Sequence, residues 1–119
     1  MMLRNVVLTL TLAASLFAAD AALVTAKKMI AEKKYDDAIT ALAKSDAKSP
    51  EVKKALVDAY LGKGDTLMND PALPPRTKYP GALKAYRTVL TYDAANAKAK
   101  TSIKTIEDIY KSMGRPIPQ

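Results

Sequence analysis

The 119-residue sequence has no cysteine, no histidine and no tryptophan. Lack of cysteine excludes a disulfide framework and lipid attachment to a processed N-terminal cysteine. Lack of histidine removes the commonest general base and the commonest metal ligand, and the two absences together exclude zinc sites of the ordinary type. Glycine is scarce, with four residues, and the seven prolines are mostly clustered, which argues against wholesale disorder. Aromatic residues make up 6%, and all but Phe17 are tyrosines. No segment alternates apolar and polar residues with period two, so no strand is expected.

The sites of chemistry are equally thin. "GKGD" at 62–65 has neither the length of a P-loop nor the Ser/Thr that follows its lysine. Ser15, Ser45, Ser49, Ser102 and Ser112 stand in no recognisable nucleophile setting. Asp36-Asp37 and Glu107-Asp108 are adjacent pairs. Neighbouring helical positions point about 100° apart, so neither pair converges on one reacting atom. The chain is expected not to be an enzyme, with no catalytic, cofactor-binding or metal-binding residue.

What is present is the material of one small helical domain. Hydrophobic residues are 49% of the chain, and the prevailing types are helix formers: Ala, Leu, Lys, Met and Glu. The net charge is +7, from 19 basic and 12 acidic residues. The lysines are scattered, often paired as in Lys27-Lys28, Lys33-Lys34 and Lys53-Lys54, and nowhere form a run of five. That pattern reads as a solvated helical surface, and nucleic acid is not an expected partner.

The first 21 residues differ from the rest. Arg4 precedes an uncharged, largely apolar run from Val6 to Ala19, followed by Asp20 between alanines. This is the layout of a secretory signal peptide, residues 1–21, with cleavage expected after Ala21. The run falls short of the ~20 apolar residues that span a bilayer. Retention as an uncleaved anchor is the alternative. After cleavage no stable membrane span is expected, and the chain would be periplasmic or secreted from a bacterium.

Helical periodicity runs through the remainder. Leu23, Ala26, Ile30 and Ala31 share one face, as do Tyr35, Ala38, Ile39 and Leu42. Ser49 is an expected N-cap, with Pro50 at the first helical position and Glu51 beside the positive helix end. The helix that follows carries Val52, Leu56, Ala59 and Tyr60 and is expected to reach about Asn69, weakened by Gly62 and Gly64. "NDPALPPRTKYPG" holds four of the seven prolines and is expected to be an ordered or semi-extended loop. It is either a stiff lid packing Leu73 and Pro74 onto the adjacent helices or a polyproline-like ridge offered to a partner. Ala82, Leu83, Tyr86, Val89 and Leu90 mark another helix. Asp93 or Asn96 would cap the last one, which carries Ile103, Ile106, Ile109, Tyr110 and Met113 and closes at Gly114 before "RPIP".

One phrase is written twice. "KKYDDAITALAKS" at 33–45 and "KYPGALKAYRTVL" at 78–90 each place a tyrosine near a helix start, a small residue three on (Ala38, Ala82) and a large one four further (Leu42, Tyr86). Small residues let two helices approach closely, and large ones a turn away fill the flanking space.

On these residues the chain resembles the tetratricopeptide repeat family. Tyr35, Ala38, Leu42 and Pro50 match the motif in a first unit, and Tyr79, Ala82, Tyr86 and Leu90 match it in a second, where Ala94 replaces the usual proline. "AYLGKGD" is similar to the end of a first helix, with Tyr60 as its aromatic and Gly64-Asp65 as its turn. Tyr79 lies 44 positions after Tyr35, against a family period of about 34; a Pro-rich insertion at 66–78, offset by about three residues fewer than the motif has between Pro50 and Tyr60, accounts for the excess. The resemblance implies an all-α domain over 22–119: antiparallel helix pairs at 22–50 and 51–96, and a capping helix at 97–114. It implies a non-enzymatic protein–protein interaction scaffold of the cell envelope, whose first helices line a groove. Lys27, Ile30, Lys54, Asp58 and Leu61 are the candidate partner-binding residues. Two alternatives stand beside it. One is a structural homo-oligomer or accessory subunit, since so few repeats leave faces uncovered. The other is electrostatic attachment to an anionic envelope surface, which salt would abolish.

Overall fold

A computed structural model describes residues 21–119, which form five helices with no strand among them. The expected signal peptide lies outside the described residues apart from Ala21. The helices are α1 (21–31), α2 (Tyr35–Leu42), α3 (Pro50–Asn69), α4 (Pro75–Tyr92) and α5 (Ala97–Ser112). No helix among the described residues is long and apolar enough to cross a membrane.

Local chemistry explains most of the boundaries. α2 opens with Asp36 and Asp37 in its first turn, where carboxylates complement the helix dipole. α3 opens with Ser49 in an extended conformation and Pro50 at the first position, though the serine hydroxyl makes no capping bond. At α5 the Asn96 side chain accepts from the Ala99 amide at 2.9 Å. α5 closes through Gly114 at φ +65°, whose amide bonds Lys111 O, while the Arg115 amide reaches back to Tyr110 O. This paired arrangement satisfies the last carbonyls and turns the chain back on itself.

α1 ends in the same motif with the wrong residue. The Lys33 amide bonds Ile30 O and the Lys34 amide bonds Met29 O, which puts Lys33 at φ +61°. A side chain with a Cβ is strained there and glycine is not. Lys33→Gly is therefore expected to stabilise the protein by about 1 kcal/mol, read as a higher urea midpoint with an unchanged slope.

The proline-rich stretch departs from the expected loop. α3 ends at Asn69 as expected, but only residues 70–74 are non-helical, and the rest of the stretch from Pro75 onward belongs to α4. Pro75 sits at the first helical position, where the missing N–H would have had no partner anyway. Pro74 takes the extended conformation that a residue before proline prefers, and its carbonyl accepts from Thr77 and Lys78. The Asp70 carboxylate holds the bend by accepting from the Ala72 amide at 2.9 Å. Pro80 lies inside α4 and costs one helical hydrogen bond; Tyr79 beside it packs edge-on against Tyr110. Leu73 is half-buried and Pro74 exposed. Gly64-Asp65 likewise makes no turn, because both lie within an unbroken α3.

α3 is the longest helix and the shared element. It packs on α2 and on α4, and α4 packs on α5. Contacts descend α3 as they ascend α4: Leu67 faces Gly81, Gly64 faces Tyr86, and Tyr60 stacks on Tyr92. The two helices are therefore antiparallel. The same holds for α2 and α3, whose contacts run from Tyr35 at Gly62 to Leu42 near Val52.

The interior divides in two. Leu23 and Ala26 of α1, Ala38 and Leu42 of α2, and Val52, Leu56 and Ala59 of α3 form one apolar cluster. Val57, Leu83, Tyr86, Val89, Ile106 and Tyr110 belong to the other, built by α3, α4 and α5. Tyr60 and Tyr92, their ring centroids 6.3 Å apart, touch both clusters and join them. Ala38 and Ala82, the small residues of the repeated phrase, are both 0% exposed.

Candidate functional site

Four of the five residues singled out as partner-binding line one groove. Lys27, Ile30 and Ala31 of α1 face Glu51, Lys54, Ala55 and Asp58 of α3 across a cavity of about 290 Å³. Ile30, Ala31 and Ala55 supply apolar surface, and the charged residues of both signs flank it. Lys54 Nζ lies 3.0 Å from Asp58 Oδ2, one helical turn away. Both side chains are largely in water, so the pair adds little stability and its ends remain available to a ligand. The volume lies at the low end for ligand pockets and suits one or two side chains of a bound peptide.

The groove exists because α1 and α3 lie side by side with small residues between them. Ala26 and Ala55 are buried at this junction and leave no bulk to fill it. Glu51, Ala31 and Ala55 were not among the sequence candidates, although Glu51 lies three positions before Lys54, Ala55 adjoins Lys54 and Ala31 adjoins Ile30. Leu61 falls elsewhere. It sits further along α3, beyond the reach of α1, and packs on the second apolar cluster.

A second groove follows along the same helix. Asp65, Met68 and Asn69 of α3, Tyr86 of α4, and Lys98, Ser102 and Thr105 of α5 enclose about 220 Å³. Its centre is a polar node. The Tyr86 hydroxyl donates to Asp65 Oδ1 at 2.5 Å, and Lys98 Nζ stands 3.5 Å from the same oxygen. Three helices thus meet at one carboxylate. Glu51, Lys54, Asp58, Asp65 and Asn69 follow one another at steps of three, four or seven, so both grooves open along a single stripe of α3.

The node has an electrostatic consequence. Burial pushes the Tyr86 phenol well above its ordinary value of 10.0, and the Asp65 carboxylate it serves pushes it further. Burial and the neighbouring Tyr92 raise Tyr60 in the same direction. The folded protein therefore keeps these protons where the unfolded chain sheds them. The stability they confer is complete below pH 10 and declines above it, by up to about 1.4 kcal/mol per pH unit for the buried Tyr86 and by less for Tyr60, which water screens. Urea unfolding at rising alkaline pH is expected to show this decline. Tyr86→Phe is expected to cost about 1 kcal/mol at neutral pH and to make the alkaline slope shallower.

The residues read from the repeated phrase are distributed as follows. Ala38, Leu42, Ala82 and Tyr86 are buried; Tyr35, Tyr60, Tyr79 and Leu90 are half-buried against one cluster or against α3. Pro50 is exposed. It acts by setting the backbone at the start of α3, and touches neither cluster.

Scans against known protein families, curated proteins and solved structures find no match to this chain.

Proposed function

We propose that the chain is a non-enzymatic protein-binding scaffold of tetratricopeptide type, exported to the bacterial cell envelope, that receives a partner polypeptide along the α3 stripe. The observation that carries the reading is the convergence of Lys27, Ile30, Lys54 and Asp58 on one apolar-floored groove between α1 and α3. In this reading α1–α2 and α3–α4 are the two repeat units and α5 is the cap. The excess over the family period is taken up as an extra turn on each side of the bend at 70–74. Such an insertion keeps the second pair antiparallel while lengthening it. Small polar-rimmed grooves on a helix stripe suit a peptide whose side chains enter at intervals.

A photo-crosslinking amino acid placed at Ile30 tests this in an envelope preparation, with the same probe at Thr101, exposed on α5 and outside the grooves described, as control. A discrete adduct is expected at position 30 alone, lost when Lys27 and Lys54 are both changed to Glu. Identical adducts at the two positions, or none at position 30, would remove the support.

A second reading, self-association, is favoured by a different observation. Val24 of α1, at 67% exposure, and Met113 after α5, at 43%, are the exposed large hydrophobic residues among those described, and they belong to the first and last helical elements. End-to-end stacking would cover both. Light scattering at micromolar concentration is expected to show larger species that Val24→Glu disperses; a stable monomer would exclude it.

A further inference from the structure

After Gly114 the chain does not leave the domain. Arg115 to Gln119 run back along α4 without forming a helix. Ile117 packs on the second apolar cluster, and Arg87 Nη1 donates to the Pro118 carbonyl at 2.9 Å. Beside this contact a groove of about 470 Å³ continues between Pro118 and a stripe of α4 made by Pro80, Lys84, Arg87, Thr88 and Thr91. The stripe has helical spacing, so the groove runs lengthwise along α4, and the tail fills only part of it.

We propose that this face of α4 is a docking groove for an extended segment in which prolines flank an aliphatic residue, and that the protein's own Arg-Pro-Ile-Pro-Gln tail occupies it in cis. The tail displays the recognition chemistry. Pro116 and Pro118 hold the backbone extended at little entropic cost, and the residue between them turns an aliphatic side chain to the cluster. Lacking an N–H, proline leaves its carbonyl as the polar handle, and Arg87 takes it. The surface is separate from the α1–α3 groove and does not depend on the function proposed for that groove.

The tail is held lightly. Half-buried Ile117 and Pro118 and one side-chain hydrogen bond oppose the entropy of ordering the residues after Arg115, while Pro116 and Gln119 are exposed. A segment so balanced opens locally far more often than the domain unfolds. A longer segment of the same chemistry, reaching into the unfilled part of the groove, would displace it.

The test uses the full chain carrying Ile117→Ser, which removes the tail's anchor and leaves the helices intact. The probe is the synthetic peptide RPIPQ, followed through the backbone amide signals of Leu83, Lys84, Arg87 and Thr88. Saturable shifts confined to α4 are expected in the variant, with an affinity at least about tenfold above that of the unaltered chain, whose site is already filled. The peptide RPSPQ is expected to bind neither. Equal affinity for both chains, no shifts, shifts away from α4, or equal binding of RPSPQ would overturn the proposal. So would unfolding of the variant by circular dichroism, since the tail would then be part of the core.

Discussion

Tyr86→Ala is expected to destabilise the protein by about 3–5 kcal/mol, a large share of the roughly 5–15 kcal/mol typical of a whole domain. Tyr86 is among the largest fully buried side chains, at 2% exposure, and lies where α3, α4 and α5 meet. Truncation removes the ring from the second cluster and leaves a cavity bounded by rigid helices, so little of the loss is recovered by collapse. It also takes from Asp65 its phenol donor and leaves only Lys98 beside that oxygen. Asp65 is partly exposed and water replaces the donor, so packing accounts for most of the effect. Comparison with Tyr86→Phe separates the two contributions, since the phenylalanine keeps the ring and loses only the hydroxyl. Thermal unfolding gives a second measure, at about 4–8 °C for each kcal/mol in a domain of this size. A loss no greater than that of Tyr86→Phe would show that the ring is not part of the core.

The second large effect concerns the helix that Tyr86 packs on. An added Cβ at Gly64 would lie 2.7 Å from Tyr86 Cε1 and Cζ, too close for any pair of carbon atoms. The ring cannot swing away, because it is buried and its hydroxyl is fixed to Asp65. Gly64→Ala is expected to incur about 1–3 kcal/mol of overpacking, reduced by the roughly 1 kcal/mol by which alanine favours a helix interior over glycine. The net result is a loss. Gly62 is the informative contrast. An added Cβ there would overlap the ring of Tyr35, but that ring is half-buried at the protein edge and can rotate outward. Gly62→Ala is therefore expected to be near neutral. In a Tyr86→Ala background the obstruction is gone, and Gly64→Ala is expected to change sign and stabilise the helix. The coupling between positions 64 and 86, read from urea unfolding of the four variants, equals the relieved overpacking and is expected at about 1–3 kcal/mol. Additive effects would show that glycine is not there for the tyrosine.

These two glycines also show why part of the architecture stays hidden in a linear reading. Within a helical pattern a glycine registers only as a weakness. Its purpose here is to receive a ring from another helix, Tyr35 of α2 for Gly62 and Tyr86 of α4 for Gly64. Being two residues apart, they point to nearly opposite sides of α3, which is how one helix serves two neighbours. The prolines mislead for a related reason. A proline is costly to a helix only where its nitrogen would have to donate; Pro75 stands at the first position, where it would not, and α4 tolerates the one lost bond at Pro80. Leu61 shows the same limit at the groove. It shares the α3 stripe with Lys54 and Asp58, but α1 ends before it and the second cluster takes it up.

The sequence by itself determined that the domain is all-helical, where Ser49, Pro50 and Gly114 punctuate it, and which residues form apolar faces. Those properties follow from contacts within four or five positions along the chain, and a 3.6-residue period writes them openly. Only the tertiary structure decided that Lys27 and Ile30 face Lys54 and Asp58 across a groove, that Asp65 meets Tyr86 and Lys98, and that the tail lies on Arg87. Each of these joins residues more than ten positions apart. Such pairings depend on how whole helices fit together at close packing, and no local period encodes that fit.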